Sequence, residues 1–445
     1  MTRQTQEEPV SVPKLARQAG ETRARWQWVE AEAWTERMLE ALENGVKGGK
    51  WFSLMDKVFS LRVLEKAFRK VSANDGAPGV DHVTTKMFEQ NLESNLKALS
   101  ERLKTGQYRA QAIRRAYIPK AGSPEGRPLG IPSVIDRVVQ TAVRMVIEPI
   151  FEQGFTERSY GFRPNRGCKD ALREVERLLG EGYSHVVDAD LRSYFDTIPQ
   201  EPLMRRVEEK IADGKVLDLI RMFLRQPVME GLALWTPEAG APQGVVISPL
   251  LSNIYLHPLD EKMASAGFKM VRYADDFVVL CRTAQEAEQA LKQVQDWTQQ
   301  AGLTLHPEKT HLVDARTSKD GFTFLGYRFR RGYKDVGRKS LNKVKDSVRE
   351  ITPRNSGRSL AEVISRLNRT LRGWFEYFKQ AHRSGHDHLD GWIRMRLRCI
   401  LQKRSGRRGR GYIASNIRWP NAFFAANGLY SCATARDAAC QSLTR

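Results

Sequence analysis

Tyr273-Ala274-Asp275-Asp276 sets two adjacent carboxylates between two apolar runs, Phe268–Tyr273 and Phe277–Cys281. Neighbouring acids repel each other, so a fold that presents them at the turn of a buried hairpin is expected to hold a cation there. Carboxylate oxygens are hard donors that suit Mg²⁺ better than soft metals. An ordinary polar turn can have the same composition, so the string needs partners elsewhere. One stands at the end of a second β-rich run, Tyr183–Val187, which closes in Asp188-Ala189-Asp190.

The elements around these acids follow an order that brings them together. After the strand ending at Asp190 come helical stretches at about 201–226 and a strand at Met229–Trp235. A helix then opens with Ser248 as N-cap and Pro249 in its first turn. The Asp-Asp hairpin follows, then a helix at about 284–301 with Ala287, Leu291, Val294, Trp297 and Ala301 on one face, stopped by Gly302. Phe322–Phe329 reads as the final strand. Strand, helix, hairpin, helix, strand is the ferredoxin-like pattern, in which the first strand lies beside the hairpin. Asp190 is therefore expected to meet Asp275 and Asp276, and three acids so placed suit two Mg²⁺ ions for in-line phosphoryl chemistry.

Other parts fit nucleotidyl transfer. Lys120 and Arg127 flank a Gly-containing turn and could grip a triphosphate. Phe195, five residues beyond Asp190, could press on a nucleotide sugar, and Gln243 in the turn Pro242-Gln243-Gly244 could face a base pair. Each alone is commonplace: surface cation, core aromatic, loop.

Composition narrows the class. The 445 residues are enough for two or three domains, and 41% hydrophobic content is ordinary for a folded chain. A net charge of +20, from 72 Lys+Arg against 52 Asp+Glu, is not ordinary and points to a polyanion, nucleic acid first. The five cysteines show no CxxC pair, which argues against a zinc site or a disulfide framework. No apolar run suits a bilayer or a signal peptide, so no membrane partner and a cytoplasmic location are expected. From Arg25 to about Lys50 a helix is expected, with Trp26, Val29, Trp34, Met38, Leu39 and Leu42 as core, ending at the Gly45, Gly48, Gly49 cluster.

Taken in order, the blocks resemble those of bacterial group II intron-encoded reverse transcriptases and maturases, from about Trp26 to Arg445. Ile118-Pro119-Lys120, Arg127–Pro132, Asp136–Gln140 and Ser159–Pro164 are similar to the family's finger blocks. Asp188–Leu191 with Tyr194-Phe195-Asp196, then Ala241–Gly244 through Ile247–Leu250, and Tyr273–Asp276 are similar to its palm blocks. Gly302-Leu303 with Lys309-Thr310, and Phe324–Tyr327, complete the polymerase series. The resemblance implies an α+β right-hand polymerase: fingers and a ferredoxin-like palm, then an α-helical thumb/maturase domain and a short DNA-binding tail. Expected boundaries are 1–50 for an N-terminal extension, 51–335 for fingers and palm, 336–411 for the thumb/maturase domain and 412–445 for the tail.

It further implies Asp190, Asp275 and Asp276 as catalytic ligands of two Mg²⁺ ions, Lys120 and Arg127 as triphosphate contacts, Phe195 as a gate against a ribose 2′-OH, and Gln243 beneath the incoming base pair. Asn74–Asp81 resembles a family loop near template and primer. The implied partners are group II intron RNA, an RNA template with a DNA primer, a DNA target and dNTPs. The implied activity is RNA-directed DNA synthesis that copies the intron during retrohoming, together with assistance to splicing. A splicing factor with an idle polymerase, or a domesticated reverse transcriptase without an intron, are the alternatives.

From Arg394 to Arg410 there are eight Lys/Arg and no acid: Arg394, Arg396, Arg398, Lys403, Arg404, Arg407, Arg408 and Arg410. Interleaving with Ile393, Met395, Leu397 and Ile400 suggests a folded basic surface for phosphates. Many relatives carry an HNH endonuclease with paired cysteines, which this chain does not show. A target primer is then expected from an exposed single strand or a replication fork.

Overall fold

Apolar spacing of three and four residues sets the first helices. In the computed structural model, which describes residues 24–119, 126–406 and 412–443, the helix Leu61–Ala73 buries Val63, Leu64, Ala67, Phe68 and Val71. That stripe packs on Val134–Glu152, a helix buried on nearly every side and capped by Ser133, whose hydroxyl accepts from the Asp136 amide at 3.1 Å. A helix apolar all round belongs inside.

Between these helices lies the hairpin β1 (Ile113–Ile118) and β2 (Arg127–Ile131). The helix Cys168–Gly180 leads into β3 (His185–Asp190). Helices Gln200–Glu208 and Gly214–Leu224 follow, then a short hairpin, β4 (Val228–Glu230) and β5 (Ala233–Trp235). The helix Ser248–Ser265 precedes β6 (Lys269–Tyr273) and β7 (Asp276–Cys281). Ala284–Gln300 is helical, and β8 (His311–Asp314), β9 (Phe322–Phe324), β10 (Tyr327–Arg330) and β11 (Tyr333–Val336) complete the strands. Sheet order is β2-β1-β4-β5, β6-β7-β3-β8 and β11-β10-β9.

The second sheet has the ferredoxin-like order, with β3 beside the β6–β7 hairpin as expected. Its fourth strand is β8, not the expected Phe322–Phe329. His311–Asp314 pairs antiparallel with His185–Asp188 and carries only two apolar residues, too few to mark a strand by pattern. Phe322–Phe329 is not continuous: Leu325 (φ +48°) and Gly326 (φ +81°) turn the chain, so that Phe322 and Phe329 stack with centroids 5.1 Å apart. Three further expectations need correction. Met229–Trp235 is a hairpin, because Gly231 at φ +59° reverses it between β4 and β5. Ser248 does not cap its helix; Ile247 takes the N-cap position while the Ser248 hydroxyl donates to Pro242 O at 2.9 Å. The region Arg25–Lys50 is turns followed by the helix Glu36–Asn44, capped by Thr35. Its break is fixed by Trp34, whose buried indole N–H donates to the carbonyls of Met145 and Val146 at 3.2 and 3.1 Å. Trp26 and Trp34 are core, as expected.

The chain divides into two compact units. One holds the described residues up to Glu174, with Ala189–Phe277 and Gln289–Lys309; the other holds Val175–Asp188, Val278–Glu288 and the described residues from Thr310 onward. In the second unit, helices Arg338–Ile351, Leu360–Phe378 and Arg383–Arg404 share a core built on Val348, Leu367, Leu371, Leu397 and Ile400. Phe424 and Cys432, from the short helices beyond Tyr412, belong to the same core. The buried Asp390 carboxylate accepts from Ser431 Oγ at 2.7 Å and from the Cys432 and Ala433 amides at 3.1 Å, capping the helix Cys432–Leu443 from outside. Among the described residues no helix is long and apolar enough to cross a membrane.

Candidate active site

The β6–β7 turn is built around one buried cation. Arg272 is fully buried in β6, where a charge must be paired to be tolerated. Its guanidinium forms a two-pronged ion pair with Asp260, the Nε donating to Oδ1 at 2.8 Å, and also donates to Asn253 Oδ1 at 2.9 Å and Ala274 O at 3.0 Å. The last bond holds Ala274 at φ +59° and aims Asp275 and Asp276.

The loop Ser159–Pro164 closes over this turn. Tyr160 N donates to Arg272 O at 2.8 Å, and Arg272 N to Arg158 O at 2.9 Å. Asn253 Nδ2 donates to Gly161 O at 2.8 Å. Gly161 is required by space: a Cβ there would overlap the Ala274 nitrogen and stand 2.8 Å from the Tyr273 carbonyl carbon. Gly161→Ala must therefore push the aspartate turn aside. The expected result is DNA synthesis reduced at least about tenfold in a protein that still folds, measured by primer extension beside circular dichroism.

Asp190 ends β3, where its carbonyl accepts from His306 N at 2.7 Å and its carboxylate pairs with the Lys309 ammonium. Asp275 feels that carboxylate. Burial pushes the Asp275 carboxyl up from its ordinary range; its own backbone amide and the Arg127 and Arg272 cations pull it down, while the Asp190 charge raises it further. Asp190 and Arg127, although far from it in sequence, thus both act on Asp275. Asp276, beside Asp275, opens β7 and is half-buried.

Phe195 is half-buried and Asp196 exposed. The Phe195 backbone is fixed by Ala241 N, which donates to Phe195 O at 2.8 Å, and by Gly240, where a Cβ would meet that same oxygen at 2.8 Å. Gln243 O accepts from Gly130 N at 2.6 Å, tying its turn to β2 next to the Ile131 end of that strand. Phe195, Gln243, Gly130 and Arg115 line one cleft of about 390 Å³. Lys120 lies outside the described residues, as do Arg407, Arg408 and Arg410.

Several basic positions of the helix Arg383–Arg404 are engaged within the fold. Arg396 donates to Thr352 Oγ1 and O, both at 2.7 Å, and lies over Trp392. Arg398 donates to Trp419 O at 2.9 Å and Asn421 Oδ1 at 2.8 Å, over the Phe424 ring. Arg394 is half-buried, while Lys403 and Arg404 are exposed and reach Asn355 and Arg358 O.

Would these acids suit a divalent metal? Their donors are all hard oxygens, the Asp190 charge raises the proton affinity of Asp275, and a cation already faces Asp190, features that suit a divalent cation. Among the described residues no three His, Cys, Asp or Glu side chains are drawn together as a metal cage; the Asp190 carboxylate faces Lys309 instead.

Comparison with known proteins adds the lineage. Residues 118–329 match the reverse transcriptase (RNA-dependent DNA polymerase) family, and residues 341–418 the group II intron maturase-specific domain. Protein YkfC of Escherichia coli K12 is 32% identical over 342 residues, covering 68% of this chain and 88% of that protein. The chain belongs to the group II intron-encoded reverse transcriptase/maturase family. LtrA of Lactococcus lactis, a group II intron-encoded protein, is 38% identical over 208 residues, covering 46% of this chain; the chain spans about a third (34%) of LtrA. Among solved structures, a partial Cas6-RT-Cas1–Cas2 complex aligns at 25% identity and a TM-score of 0.37, over 58% of this chain and 43% of that one. As a family member the chain is an RNA-directed DNA polymerase with a maturase-type RNA-binding region. Its reverse transcriptase domain spans Arg127, Asp190, Phe195, Gln243, Asp275 and Asp276, and its maturase-specific domain spans Arg394–Arg410.

The residues that sequence reading missed are those behind the turn: Gly161, Asn253, Asp260 and Arg272. A signal existed for one. Arg272 interrupts an apolar strand, and a charge there calls for a buried partner.

Proposed function

We propose that this protein copies its host intron RNA into DNA during retrohoming, in the cytosol, and helps that intron to splice, with Asp190, Asp275 and Asp276 holding two Mg²⁺ ions. The observation that supports the polymerase reading is the strand order β6-β7-β3, which sets the strand that Asp190 ends beside the strand that Asp276 opens. Asp190, Asp275 and Asp276 would hold the divalent pair, whose Lewis acidity would serve the primer 3′-hydroxyl and the charge of the leaving pyrophosphate. The chain's own residues do the rest. Arg127, with Lys120, binds the triphosphate; Phe195 stands against the sugar; Gln243 supports the base pair; Arg272 keeps the aspartate turn in place. Lys309 acts as counter-charge to Asp190. Basic positions from Arg394 to Arg410 contribute to a phosphate-binding surface for intron RNA, the RNA template with its DNA primer, and the DNA target.

Primer extension tests this reading. On an RNA template with a DNA primer, dNTPs and Mg²⁺, extension is expected, and EDTA is expected to stop it. A folded, RNA-binding protein that extends nothing at any Mg²⁺ concentration would move the assignment to a splicing factor.

A further inference from the structure

Phe162 has an unusual position for an apolar residue. It is 42% exposed, and its backbone sits at φ +60°, a region that bulky side chains rarely occupy. The surroundings over-determine that conformation. On one side Gly161 O accepts from Asn253 Nδ2; on the other the buried Arg163 guanidinium is held by Glu152 and donates to Ser159 O at 2.6 Å. A loop so pinned, presenting a ring to solvent in a disfavoured conformation, points to a task for the ring.

The ring's neighbours give the task. Its centroid lies 6.4 Å from that of Phe195, the planes at 79°, and 6.5 Å from that of Tyr273. Edge-to-face packing of this kind restricts how far the partner ring can swing. On its other side Phe195 meets Tyr194 at 5.5 Å, and Tyr194 is fixed by its hydroxyl donating to Ser252 O at 2.8 Å. Phe195 is thus packed between Tyr194, whose hydroxyl is bonded, and Phe162, whose backbone is pinned on both sides.

We infer that Phe162 is a specificity-determining positioning residue, which stiffens Phe195 and so sets how strictly ribonucleotides are refused. The argument rests on the reading of Phe195 as the sugar gate. A 2′-hydroxyl adds a single oxygen, and a ring free to rotate could yield to it. Exclusion by one atom requires a wall that does not move, and packing against Phe162 and Tyr194 narrows how far the Phe195 ring can swing.

The test is the ratio of kcat/KM for a dNTP to that for the matching rNTP, in single-nucleotide extension by the full chain. Phe162→Ala is expected to lower that ratio about tenfold through rNTP gain, with dNTP kcat/KM kept within about threefold. Phe195→Ala should lower it further, and the double variant should match Phe195→Ala alone. Phe162→Leu, which keeps apolar bulk without a flat ring, should fall between wild type and Phe162→Ala; if Phe162→Ala does not fold, the leucine variant decides. An unchanged ratio in both Phe162 variants, with a fall in Phe195→Ala, overturns the inference and leaves the gate intact. A double variant looser than Phe195→Ala also overturns it, because Phe162 would then act on the sugar directly. An unchanged ratio in Phe195→Ala overturns the gate reading, and the inference with it.

Discussion

Asp275→Asn is expected to lower RNA-templated DNA synthesis about a thousandfold or more while leaving RNA affinity within about twofold. Loss of a carboxylate that holds a catalytic divalent ion removes several kcal/mol of transition-state stabilisation, and each ~1.4 kcal/mol is a factor of ten. The same change should not destabilise the fold. Burial and the Asp190 charge raise the Asp275 carboxyl, so its ionised form costs folding energy at neutral pH. An amide of the same shape relieves that cost, and Tm should hold or rise by a few degrees. Primer extension, filter binding to RNA and a thermal melt check the three limbs. Equal loss of RNA binding in a folded variant would refute the separation of copying from RNA capture.

Arg272→Met is expected to be the most damaging change away from the reacting atoms. It strips the partner from a buried Asp260 carboxylate, a loss of about 3–5 kcal/mol and a large share of a typical domain's stability. A fall in Tm on the order of 10 °C should follow. Adding Asp260→Leu removes the stranded charge, and replacing a buried ion pair by apolar side chains is often close to neutral. Stability should therefore recover in the double variant. Synthesis should not, because the bonds from Arg272 to Asn253 Oδ1 and Ala274 O are still gone. If activity returned together with Tm, Arg272 would be only a fold element and its proposed part in aiming the aspartates would be wrong.

The difference between Asp275 and Arg272 also marks what the sequence could tell. Asp275 announces itself: two adjacent acids between apolar runs ask for a cation, and the strand ending in Asp190 needs only the ferredoxin-like order to reach them. The helix expected at about 284–301 is found at Ala284–Gln300, because its apolar stripe and its stop at Gly302 are local signals. Arg272, by contrast, is bonded to residues 12 and 19 positions earlier on a neighbouring helix. Gly161 is required by a backbone more than a hundred positions away, at Ala274. No window of sequence contains such a pair. The fourth palm strand was missed for a related reason: β8 is polar, and only pairing with β3 makes it a strand. At the Arg394–Arg404 positions charge was legible in the sequence and internal packing was not. Charge and spacing flag them as a nucleic-acid surface, yet the hydrogen bonds of Arg396 and Arg398 to Thr352, Trp419 and Asn421 are internal, so their substitution should disturb the helical core as well as any ligand.

Asp390 carries a consequence for anyone who shortens this protein. The carboxylate that caps Cys432–Leu443 comes from another helix, and Phe424 and Cys432 fill the core shared with Leu367, Leu371 and Leu397. Deleting everything after Arg418 would open that core and strand a buried charge. The phenotype of such a deletion would then include a loosened helical bundle, whatever the tail itself binds. Ile417, 77% exposed, and the neighbouring Arg418 sit outside the core, so point changes there interrogate the surface while the bundle stays closed.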